Sequence, residues 1–162
     1  MRKLVVLGVL VGVLGVGLPA RADTTVIKGH TRTDTTTCGE TDQLATVTHT
    51  FKRNANKWVV TKLTAKNPCD SGTWFFIGSS KSLKDGAPRY VIALQGGGKI
   101  SWDANKLKRY GLDWHVSDGF GIGLDNELDP ACEKGWGVKG TIVDSHGKAW
   151  TAAQWRAKGL CF

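Results

Sequence analysis

The sequence predicts an α+β domain dominated by β-structure: an antiparallel sheet or small barrel carrying two short capped helices in its C-terminal half. Three observations lead there. Apolar and polar residues alternate with period two along Gln43 to Lys52 and again along Lys57 to Ala65, the pattern of half-buried strands. Helix punctuation comes late, in one segment that occurs twice, at 102–112 and 150–160. Strands first and helices last favours segregated elements over alternating α/β units.

Residues 1–22 read as a secretory signal peptide of bacterial type. Arg2 and Lys3 form the charged start, Leu4 to Leu18 the apolar run, and Ala20-Arg21-Ala22 the cleavage site. The apolar run is short for a membrane span and has no later companion, so no membrane anchor is expected in the mature chain. Residues 23–162 then form one disulfide-bonded domain, long enough for a core. Three basic residues leave with the signal, which lowers the formal charge from +8 to +5. A moderate basic excess suits an anionic partner and also serves solubility.

The first strand is expected at Thr24 to Ile27. Thr31 to Thr37 has high β propensity but little to bury, so it reads as an exposed strand or loop. In the first alternating strand Ala45, Val47, His49 and Phe51 share one face, opposite Leu44, Thr46, Thr48 and Thr50. Arg53 to Asn56 turns, and Trp58 and Val60 should alternate against Val59, Thr61 and Leu63. Residues 67–72 are loop by composition. Thr73 to Ile77 is a short apolar run, hence a central strand, and Arg89 to Gln95 is another buried strand. Gly96-Gly97-Gly98 lacks the phosphate-loop spacing, and its setting predicts a hairpin into Lys99-Ile100-Ser101. Val138 to Val143, a turn at 144–147 and Lys148-Ala149 repeat that order before the second helix.

In the repeated segment, Asp103 and Thr151 occupy N-cap positions, and Gln154 completes a capping box. Trp102 with Leu107, and Trp150 with Trp155, have the spacing of a hydrophobic staple. Gly111 and Gly159 suit the left-handed position past each helix end, followed by Leu112 and Leu160. So short a helix needs support from a larger packing surface.

All four cysteines lie in the mature part, which predicts two disulfides. Cys38–Cys69 and Cys132–Cys161 are favoured among the three pairings because each closes a loop within one half. Each should contribute about 3–4 kcal/mol through the unfolded chain. No C-x-x-C or paired-histidine spacing points to zinc, and no cofactor fingerprint is present.

Functional candidates are few. His115 with Asp118, and His146 with Asp144, could serve general acid/base catalysis if they met in one cleft. No serine has nucleophile-elbow context. Asp125, Glu127 and Asp129 alternate as in a calcium loop, but Pro130 stands where an EF-hand needs glycine. Residues 119–123 place glycine at every second position, leaving one strand face bare. Of seven tryptophans, Trp114 and Trp136 lie in loop-like surroundings. With Phe120 and Tyr110 they are the candidates for stacking on a sugar or anchoring a protein.

The leading expectation is a secreted, monomeric, non-catalytic binding protein. Its partner would be a cell-wall polysaccharide or a secreted enzyme that it inhibits, with nucleic acid a weaker third. The alternative is a small secreted hydrolase or nuclease-type toxin using the histidines.

Overall fold

A computed structural model describes residues 24–79, 90–110, 120–126, 130–132 and 140–161. The expected signal peptide lies outside them. Among the described residues, two five-stranded sheets face one another.

The first sheet is antiparallel throughout. β1 (Thr24–Lys28) and β2 (Thr31–Thr37) form a hairpin around Gly29-His30, and β3 (Leu44–Asn54) and β4 (Lys57–Lys66) form one around Ala55-Asn56. Gly29 and Ala55, the first loop residues, have φ of 54° and 51°, as tight loops between twisted strands require. β7 (Lys99–Asp103) pairs with β4 and completes the order β1-β2-β3-β4-β7. The second sheet is mixed, in the order β10-β9-β6-β5-β8. It comprises β5 (Trp74–Ser79), β6 (Tyr90–Gln95), β8 (Phe120–Asp125), β9 (Thr141–Val143) and β10 (Ala149–Thr151), with β6 and β9 parallel.

The period-two reading of β3 places Val47, His49 and Phe51 inside. They meet Leu63 and Trp102 of the same sheet and Phe75, Ile77, Ile92 and Leu94 of the other. The apolar run in β5 is explained by burial on both faces. Phe75 and Ile77 face this shared core. Trp74 and Phe76 face a second cluster with Ala93, Ile142, Ala131 and Trp155.

Both predicted helices are present, as α1 (Ala104–Arg109) and α2 (Ala152–Ala157). The Asp103 side chain accepts from the Lys106 N–H, and Thr151 and Gln154 form the complete capping box. Trp102 and Leu107 are buried in one cluster, and Trp150 and Trp155 meet edge to face at 6.1 Å. Gly159, at φ 66°, donates to Arg156 O while Leu160 donates to Trp155 O, the double bond of a Schellman end. Each unit supplies an edge strand and a helix to a different sheet. The disulfides are Cys38–Cys69 and Cys132–Cys161, with Cα separations of 5.3 and 5.8 Å.

Three local expectations are corrected. Thr31–Thr37 is an interior strand, not an exposed tract, with Asp34 and Thr36 buried. A polar strand can face the core here because Asp34 is satisfied by Arg32 and Thr25. The simple alternation of β4 breaks at Thr61, where the pairing with β3 slips, so Val60 and Leu63 are both buried. Gly96 to Gly98 does not close a hairpin, because β6 lies inside the second sheet and β7 at the edge of the first. The glycines carry the chain between sheets, with Gly96 against the Asp70 backbone. Asn67, fully buried beside them, donates to Thr73 O and Leu94 O and accepts from the Cys69 N–H.

Candidate binding cleft

The core-facing side of the first sheet carries one continuous cross-strand row: Ile27, Arg32, His49, Leu63, Trp102. At its Leu63 and Trp102 end this row is buried. At its Ile27 end, near the two hairpin tips, it opens into a cleft of about 230 Å³. Its walls include Ile27, His30, Arg32, Phe51, Trp58 and Phe120. Ile27 is 71% and Trp58 38% exposed, large values for apolar side chains. The His30 ring lies 4.8 Å from the Trp58 ring.

Arg32 ties this end together. Its Nε donates to Asp34 Oδ2 at 2.9 Å, and its Nη2 donates to Asp34 Oδ1 at 2.9 Å and to Phe120 O at 3.1 Å. The guanidinium also stands 5.5 Å from the Phe120 ring centre. One side chain thus neutralises a buried carboxylate and holds the start of β8 on the first sheet. Phe120 in turn stacks on His49 at 4.1 Å.

His49 is held neutral. Burial, opposed by the Asp34 carboxylate and reinforced by the Arg32 charge, lowers its pKa from 6.5 to about 4. Because the folded value is depressed, the contribution of neutral His49 is complete above pH 6.5 and is lost as pH falls from there through 4. The loss should reach about 2 kcal/mol by pH 5 relative to pH 8. Urea titrations at both pH values should show it, and His49→Phe should remove that part of the pH dependence. An unchanged pH dependence in the variant would refute the assignment.

The strand pair that carries Trp58 is cationic. From Gln43 to Cys69 the chain carries Lys52, Arg53, Lys57, Lys62 and Lys66 and no acidic residue. Arg53 pairs with Trp58 across the hairpin, and Lys28 borders Gly29. Asp34, the nearest carboxylate in the row behind, is already bonded to Arg32.

The sequence candidates distribute as follows. Phe120 lines the cleft. Tyr110 stacks on Trp102 at 5.0 Å and so braces α1. Trp114, His115, Asp118, Trp136, Glu127 and Asp129 lie outside the described residues. Asp125 ends β8 opposite Trp74. His146 is exposed on the β9–β10 turn, in a groove of about 480 Å³ that also contains Lys148, Trp150 and Lys158. Asp144 Oδ1 accepts the His146 and Lys148 backbone N–H groups, and Oδ2 accepts the Trp150 indole N–H. That carboxylate organises the turn. The contact of the His146 ring is with Ser145 Oγ, 3.4 Å from Nδ1. Among the described residues no three His, Cys, Asp or Glu side chains are grouped to hold a metal ion.

Sequence reasoning assigned Ile27 and Trp58 to strands and did not single out Arg32. The available signal was the run from Gln43 to Cys69 with cations and no acid around an isolated tryptophan. No protein-family model, curated protein sequence or solved structure matches the chain.

Proposed function

We propose that this is a secreted, non-catalytic binding protein that takes an extracellular protein partner at the open-end cleft. The observation that carries the reading is the exposure of Ile27 and Trp58 beside Phe120, with Arg53 paired to Trp58 across the hairpin. An apolar anchor on the partner would fill the cleft and supply most of the affinity. A carboxylate beside that anchor would meet Arg53, which pairs with Trp58 across the hairpin, raising the association rate and orienting the docking. Two disulfides and a two-sheet scaffold limit the ordering entropy lost on binding. They also suit an oxidising compartment. No helix among the described residues is long and apolar enough to cross a membrane.

The test is biolayer interferometry of the oxidised mature protein against a panel of secreted proteases and glycosidases, with product assays run in parallel. Saturable binding to a panel member is expected, without turnover of the protein's own. Trp58→Ala and Ile27→Asp should each weaken it by more than about tenfold, a hot-spot effect, with unchanged circular dichroism. Binding indifferent to both substitutions would remove the cleft from the interface. Product formation by the protein itself, abolished in His146→Ala, would turn the assignment to the hydrolase alternative.

A further inference from the structure

The opposite face of the first sheet carries a second pattern, independent of the cleft. Directly paired residues of neighbouring strands share a face. The registers therefore assemble the row Val26, Thr33, Thr48, Thr64, Ser101 across all five strands. Thr35 and Thr46 stand in the row on one side, and Thr31 and Thr50 in the row on the other. None of these residues belongs to either buried cluster. The Thr33 and Thr48 hydroxyls are 2.9 Å apart, and those of Thr24 and Thr35 also touch. The result is a hydroxyl lattice repeating about 4.8 Å across strands and about 6.7 Å along them.

Lysines border the lattice. The Thr35–Thr46 row continues into Lys66 and Lys99, and the Thr31–Thr50 row runs from Lys28 to Lys62. All four are exposed. Asp103 ends the second row, and its carboxylate caps α1. High β propensity explains threonine in a strand. It does not explain why the lysines on this face gather around the hydroxyl rows with that single carboxylate at the corner.

We infer that the outer face of the first sheet is a docking surface for a linear, carboxylate-bearing polysaccharide. Threonine hydroxyls both donate and accept hydrogen bonds, which matches a chain of sugar hydroxyls. The lysines answer the carboxylates, and the strand spacing repeats the same contacts along an extended polymer. The site lies on the reverse of the sheet from the cleft, so a polymer and a protein partner could be held together.

Affinity electrophoresis and calorimetry with linear polygalacturonate test the inference, using a neutral linear glucan and single-stranded RNA as comparison polymers. Polygalacturonate should bind saturably and the glucan should not. Lys62→Glu/Lys66→Glu should weaken binding by about tenfold or more, the effect of placing repulsive charge in a polar interface. Lys148→Glu/Lys158→Glu makes the same change in net charge on the second sheet and should have a small effect. Thr33→Val/Thr48→Val keeps side-chain shape and should lower affinity severalfold with the salt dependence unchanged. Trp58→Ala should leave polymer binding intact, so failure here and failure of the cleft are read separately. No binding, equal loss from both charge reversals, no loss on removing the hydroxyls, or equal affinity for RNA would each overturn the inference.

Discussion

Arg32→Ala is expected to destabilise the protein by about 3 kcal/mol or more, the cost of leaving a buried carboxylate without its cation. Asp34 is 5% exposed by side chain, and Arg32 supplies its charged partner and three of its four described hydrogen bonds. The same truncation removes the hydrogen bond to Phe120 O and takes the guanidinium from the Phe120 ring, loosening the cleft wall. Urea denaturation measures the first effect, and partner binding after a mild destabilisation correction measures the second. Arg32→Met/Asp34→Leu provides the control. It removes both charges, and much of the lost stability should return because no orphaned ion remains. A single variant costing under about 1 kcal/mol, typical of a surface ion pair, would show that the pair is solvated.

Gly96→Ala should be comparably severe, costing about 3 kcal/mol or more through overpacking against atoms that cannot yield. A Cβ at Gly96 would stand 1.8 Å from Asp70 O, 2.5 Å from Asp70 C and 2.7 Å from Cys69 O. All three are backbone atoms, held by the Cys38–Cys69 bridge and the Asn67 hydrogen bonds. Gly97→Ala separates crowding from conformation. Gly97 has φ +78°, and a Cβ there would come no nearer than 3.9 Å to the Ser145 Cβ, so alanine meets strain without collision. About 1–2 kcal/mol is expected for that left-handed residue. Thermal melts of both variants decide the matter: equal losses would mean that the close approach at Gly96 contributes nothing.

Much of the secondary structure was legible because its causes lie within a few residues along the chain. Alternation revealed the faces of β3. The cap, staple and terminal-glycine positions revealed α2, and the cap and staple positions revealed α1, whose expected end at Gly111 and Leu112 lies outside the described residues. Loop closure within each half pointed to the disulfide pairs. Phe120 could be named from its setting beside the glycine stripe, but the purpose of its ring could not.

The cleft was not legible, because Ile27, Arg32, Trp58 and Phe120 come together only through register and the facing of two sheets. Local propensity made Thr31–Thr37 look peripheral, since nothing near Asp34 in sequence shows that Thr25 will also reach it across β1. Gly96 to Gly98 read as a hairpin by local rules, which cannot sense that Asp70 will occupy the space beside Gly96. Periodicity, caps and the reach of a loop are short-range properties, and the sequence by itself determined them. Sheet crossing, burial of a charge pair and the meeting of distant aromatic residues depend on non-local contacts, whose energies exist only after the chain has closed on itself. Those the tertiary structure decided.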